Sequence, residues 1–197
     1  MRKILFSIGL TAMVLAGCGG GGGSSIGGVY GSVILTTGEY EYKPRGTYCI
    51  QNNQPIFFDE VIDNLDIKSE VIKNASGQPV TQNPSPVYID SYRVLFFSAT
   101  ANNNCERYPD CRALLASGYA GFSGLTVPPG GTATFKNLTL VPANWKLNTL
   151  VNYCLTPSDN CDYNAVIELH GREIYSGKTQ TIRFNLRLSL YALNQCP

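Results

Sequence analysis

The sequence predicts an all-β fold in which two antiparallel sheets pack face to face as a disulfide-braced sandwich. Three observations predict it. Residues 181–190, TIRFNLRLSL, place Ile182, Phe184, Leu186, Leu188 and Leu190 on one side and Arg183, Asn185, Arg187 and Ser189 on the other, the unbroken period of two of a half-buried strand. About seven segments of strand character are separated by Gly, Pro and Asn turns, and no capped amphipathic helix longer than about two turns interrupts them. Cys18 set aside, the cysteines are even in number, as a cross-linked exported domain requires.

In chain order the strand candidates begin with residues 30–35, YGSVIL, and 65–72, LDIKSEVI. Residues 87–99, VYIDSYRVLFFSA, are rich in aromatic and β-branched side chains and apolar on both faces toward their end, the signature of a central strand. CRALLASGY, from Cys111, is the candidate for a short helix. A turn at Pro128-Pro129-Gly130-Gly131 opens a strand whose alternation slips between Phe135 and Leu138, which predicts a bulge. In AVIELHGREIYSGK, Ala165, Ile167 and Leu169 oppose Val166, Glu168 and His170, and a turn near Ser176-Gly177-Lys178 joins this strand to residues 181–190 as a hairpin.

The chain opens with MRKILFSIGLTAMVLAGC. Arg2 and Lys3, an apolar run over residues 4–15 and small residues before Cys18 read as a secretory signal. The run is shorter than the roughly 20 residues a spanning helix needs. Leu15-Ala16-Gly17-Cys18 resembles the lipobox of bacterial lipoproteins. That resemblance implies removal of residues 1–17 and fatty acylation of Cys18 as the new N-terminus, so that lipid holds the chain at a membrane. The absence of Asp after Cys18 implies, by the same resemblance, the outer membrane of a two-membrane bacterium. Gly19 to Gly23 and the serines that follow cannot bury apolar surface, so residues 18–27 are expected to be a flexible tether and 28–197 a single domain. A phosphate-binding glycine loop needs a preceding strand, a following helix and a lysine, and this stretch has none of them in place.

Without residues 1–17 the chain keeps 180 residues, with 13 Lys and Arg against 14 Asp and Glu. Near-neutrality excludes nucleic acid as a partner, which calls for a basic face. The remaining cysteines stand at 49, 105, 111, 154, 161 and 196, and six cysteines allow 15 pairings. Cys105 and Cys111 flank ERYPD, and Cys154 and Cys161 flank LTPSDN, polar turn-forming stretches that bring each pair into bridging range. Cys49 and Cys196 then remain for each other. The rival, a zinc site, calls for tighter C-x(2–4)-C spacing.

Over residues 86–193, the segments VYIDSYRVLFF, VPPGGTATF and AVIELHGRE are similar in pattern to immunoglobulin-like sandwich domains of bacterial exported proteins. The resemblance implies an immunoglobulin-like antiparallel β-sandwich. It departs from the antibody type, since no Cys-Trp-Cys framework accompanies Trp145, the single tryptophan.

Candidate chemistry is sparse. His170, the single histidine, lies between Glu168 and Arg172 on the predicted wet face, where the three form a polar cluster. Asp59-Glu60 is a carboxylate pair expected in an exposed loop. Asn102 to Asn104 and Asp110 offer oxygens to calcium without EF-hand spacing. No G-x-S-x-G, H-E-x-x-H or P-loop pattern is present, and no cofactor or metal is expected. Tyr40, Tyr42, Tyr108, Tyr119 and Phe122 are aromatic candidates for recognition of protein or sugar, or else cover cross-strand neighbours and shield the sheet edge; His170 is included as a candidate binding residue. The expected function is a non-enzymatic, lipid-anchored interaction module or accessory subunit of a surface assembly, with an envelope protein or glycan as partner. The alternative is an envelope carbohydrate-active enzyme using loop carboxylates.

Overall fold

The computed structural model describes residues 25–27, 31–44, 46–99, 118–143 and 160–197. Their strands are β1 (Ser25–Gly27), β2 (Val33–Tyr42), β3 (Tyr48–Gln51), β4 (Gln54–Phe57), β5 (Glu60–Val71), β6 (Val87–Ser98), β7 (Tyr119–Val127), β8 (Thr132–Val141), β9 (Asn160–Glu173) and β10 (Thr179–Leu193). One sheet runs β4-β3-β10-β9-β6-β7, with β1 also paired to β10; the other runs β2-β5-β8.

The period of two in β10 builds the core. Ile182, Phe184, Leu186, Leu188 and Leu190 are all buried while Arg183, Asn185 and Arg187 face solvent. Tyr163, Ala165, Ile167 and Leu169 of β9 and Val87, Ile89, Tyr92, Val94 and Phe96 of β6 continue the apolar face, and it packs on Val33, Leu35, Ile62, Leu65, Ile67, Phe135, Leu138 and Leu140 of the small sheet. Burying each large side chain contributes about 1.5–3 kcal/mol. The predicted hairpin is present: Glu173 N–H donates to Lys178 O at 2.8 Å and Gly177 takes φ 69° at its tip.

The slip in β8 has a partner across the ladder. Phe135 and Leu138 are both buried with two exposed residues between them, Asn137 takes φ 54°, and β5 buries Leu65 and Ile62 in the same rhythm. The register itself shifts further on, between Glu60 and Val61. A second irregularity at Ile89/Ser91 lets both Ile89 and Tyr92 point inward, which alternation alone did not foretell.

Several expectations need correction. The sandwich is not antiparallel throughout, because Ala192 and Leu193 of β10 pair in parallel with Tyr48 and Cys49 of β3. The sequence reading also passed over the β3–β4 hairpin, whose turn Asn52-Asn53 has φ 50° and 60°, the left-handed pair of a two-residue hairpin. Tyr119 and Phe122, named only as aromatic candidates, belong to β7, which pairs along β6. The topology is therefore all-β in two sheets but not a clear immunoglobulin one. Ser25, Ile26 and Gly27, assigned to the tether, pair through their backbone with Arg183, Ile182 and Thr181.

One end of the molecule is tied by a buried carboxylate. Glu173, 1% exposed, accepts from Ser32 N–H at 2.6 Å, Val33 N–H at 3.4 Å, Gln180 Nε2 at 3.3 Å and the Ser176 hydroxyl. A buried carboxylate met by several donors has its hydrogen-bonding capacity satisfied. A Cβ on Gly31 would strike this carboxylate and push it from its place between the donors. Ser32 extends the tie, its hydroxyl accepting from Ser85 N–H at 2.7 Å and its carbonyl from Ile72 N–H at 3.1 Å.

Cys49 and Cys196 form the expected disulfide across a sequence separation of 147. Cys105, Cys111 and Cys154, with the short helix candidate before Gly118, lie outside the described residues, as does the side chain of Cys161. Closing so long a loop contributes about 5 kcal/mol in the chain-entropy model. The double variant Cys49→Ala/Cys196→Ala is expected to lose roughly 2–5 kcal/mol in urea unfolding; an unchanged midpoint would show that the bridge does not brace the fold.

Candidate binding surface

The aromatic candidates divide by the side of the sheet on which period two places them. Tyr40 and Tyr42 turn inward and Glu39 and Glu41 outward. The Tyr40 ring lies 5.8 Å from that of Phe184. Tyr42 donates to Glu60 Oε2 at 3.3 Å, and burial, followed by the Glu60 charge, pushes its phenol far up. Both tyrosines thus cover the core instead of presenting a platform to a partner. Glu60 is itself fully buried at the start of β5, contrary to the exposed loop expected of Asp59-Glu60; Asp59 turns away and accepts from Ala143 N–H. Tyr108, Asn102 to Asn104 and Asp110 lie outside the described residues.

His170 sits on the outer face of the large sheet, as its alternation predicts, but its cluster differs from the expected one. Glu168 Oε2 is 3.9 Å from His170 Nε2, and Arg183 Nε of the adjacent strand lies 2.7 Å from Glu168 Oε1. Cross-strand register supplies Arg183 directly opposite Glu168, the position the sequence reading gave to Arg172. Glu168 is only 8% exposed, so this face is less wet than predicted. Thr181 Oγ1 is 3.3 Å from His170 Nδ1. On the same face Asp162 accepts from the Ser189 hydroxyl at 2.5 Å and from Arg187 at 3.0 Å, and these bonds hold its carboxyl below the usual range.

A groove of about 400 Å³ opens between β7 and β8, where the edges of the two sheets meet. Its floor is Tyr92, Leu125, Phe135 and Leu138; Ser123, Lys136, Asn137 and Thr139 line it with polar atoms. Tyr92 lies across Gly121, where a Cβ would run into its ring, and meets Tyr119 edge-on at 6.0 Å. Burial, then the neighbouring Tyr119, pushes the Tyr92 phenol far up, so it stays protonated. The shielded Ser123 hydroxyl has no hydrogen-bond partner among the described residues. At the rim stands Phe122, 96% exposed. A volume near 400 Å³ lies in the range of ligand sites.

Sequence reasoning named Phe122 among the aromatics but gave it no structural place, because β7 itself was missed. Gly118, Gly121 and Gly124 hide its alternation, and the strand signal at Tyr119–Val127 falls below that of its neighbours. Among the described residues no group of three or more His, Cys, Asp or Glu is placed to hold a metal.

An aromatic ring standing in water contributes nothing to the core. Phe122→Ala is therefore expected to change unfolding free energy by less than about 0.5 kcal/mol, against about 3–5 kcal/mol for Phe184→Ala; a large loss at Phe122 in urea titration would mark it as structural. No family model, curated protein or solved structure matches the chain.

Proposed function

We propose that the chain is a lipid-anchored protein of the bacterial cell envelope, held at the outer membrane, whose β-sandwich binds an envelope protein or glycan without catalysing a reaction. The observation that carries the binding role is Phe122, exposed at the rim of a groove with an apolar floor and polar walls. An exposed ring flanked by hydroxyl, amide and ammonium groups suits recognition of a polar polymer or a protein surface. The anchor rests on Leu15-Ala16-Gly17-Cys18, since each buried methylene of an acyl chain contributes about 0.8 kcal/mol.

An immunoglobulin-like kinship belongs to the same proposal. Count β2, β5, β6, β7, β8, β9 and β10 as a series: the first, second and fifth share one sheet, while the third, sixth and seventh lie side by side in the other. That distribution supports the kinship, with β3–β4 as an insertion and the fourth strand moved beside the third.

Cells grown with radiolabelled palmitate are expected to label the wild-type chain and not Cys18→Ser. The recovered protein should enrich an envelope partner, and Phe122→Ala should reduce that recovery about tenfold. No label, or equal recovery with both proteins, contradicts the corresponding half of the proposal. A second reading, a carbohydrate-active enzyme, draws on the Glu168, His170 and Thr181 contacts; turnover of envelope glycan that His170→Ala abolishes and Phe122→Ala spares would favour it.

A further inference from the structure

The end of the molecule fastened by Ser32 carries side chains with no role in the core. Tyr175 is 72% exposed, Ile174 51% and Val80 48%. They come from two loops, 72–86 and the β9–β10 turn, which hydrogen bonds lock together. Ile174 N–H donates to Pro86 O at 2.9 Å, Tyr175 N–H to Ser85 Oγ at 3.0 Å, and Val80 N–H to Ile72 O at 2.9 Å. Because Ser85 and Ile72 both bond to Ser32 and Glu173 holds Ser32 N–H, the apolar tips are fixed to one another. Lys73, Arg172 and Lys178, all exposed, stand in or beside the same two loops along the chain. Glu70 is the exposed acid nearby, Asp90 is half-buried, and Glu173 is buried in its bonds. The far end of the strands has an excess of acids by contrast among the described residues: Glu41, Asp59, Asp63 and Asp162, of which Glu41 pairs with Lys43 and Asp162 with Arg187.

We infer that this end docks on an anionic lipid bilayer, with Tyr175, Ile174 and Val80 entering the interface and Lys73, Arg172 and Lys178 meeting headgroup phosphates. A tyrosine beside aliphatic residues suits the interface, and lysines and arginines near it are drawn to anionic lipid. Orientation rests on the lipid-anchor reading, and chain length then selects the end. Ser25 lies opposite Arg183, four residues from the start of β10 and ten from its end at Leu193, about 13 Å and about 33 Å along the strand. The seven residues 18–24, whatever path they take, span at most about 25 Å. An acylated Cys18 therefore reaches a bilayer under the basic, apolar end and falls short of one under the acidic end.

The test uses the processed chain recovered from the envelope, with Tyr175→Trp at the basic end or Phe97→Trp at the far end of β6. Each is mixed with vesicles of phosphatidylglycerol and phosphatidylethanolamine brominated in the acyl chains, and the wild-type signal of Trp145 is subtracted. Quenching at position 175 is expected to exceed that at 97 at least about threefold, and to fall with Lys73→Glu/Lys178→Glu or in phosphatidylcholine vesicles. Equal quenching at the two positions, or indifference to the charge reversal, overturns the inference. Intact mass of the same sample reads acylation separately. An unacylated chain still quenched at 175 refutes the anchor and keeps the docking surface, whereas an acylated chain quenched equally does the reverse.

Discussion

Strand β9 is the constraint on which the rest depends. It is bonded along almost its whole length on both sides, to β10 from Asn160 to Arg172 and to β6 from Tyr163 to Glu173. Its inward residues Tyr163, Ala165, Ile167 and Leu169 are all essentially shielded from water. A strand paired on two edges and buried on one face leaves its neighbours a single register, since a slip of one residue would turn the apolar row of β10 to solvent. The small sheet follows as the lid that this apolar face requires. The outward faces and the open side between β7 and β8 are what remains for partners.

How far the sequence could be read tracks how far each strand obeys simple alternation. β10 and β9 were legible because their apolar residues recur at two-residue spacing, and β6 because it is rich in aromatic and β-branched side chains, although its alternation breaks at Ile89/Ser91. The Cys49–Cys196 bridge was legible by spacing of the other cysteines. β3 and β4, four residues each, are too short for periodicity, though Asn52-Asn53 held a turn signal. Tyr40 and Tyr42 left two readings open, a recognition surface or cover for their neighbours, because each stands beside Glu; the alternation of the strand places the rings on the core. Glu60 misled for a related reason: a carboxylate is assigned to water unless its hydrogen-bond donors are known, and its donor Tyr42 comes from another strand. The outer-face contact of Glu168 with Arg183 likewise needed the register between two strands.

The molecule has unlike ends and unlike sides, and its proposed roles follow from that polarity. The end knotted by Ser32 and Glu173 is basic and apolar, near the point where the N-terminal segment meets β10. The other end is acidic and closed by the disulfide that joins β3 to the C-terminal residues. Between them, the groove with Phe122 lies at the side where the two sheets end. The proposed roles place a membrane at the first end and a partner along the open side, and neither proposal calls on a reacting group.

Native-state amide hydrogen exchange tests the central claim most directly. The amides of Ala165, Ile167 and Leu169 in β9 should open only with global unfolding, with one shared free energy equal to that from denaturant titration. Amides in the 72–86 loop should exchange through smaller, local openings. If the β9 amides exchanged as fast as that loop, a core organised around a doubly paired strand would be contradicted.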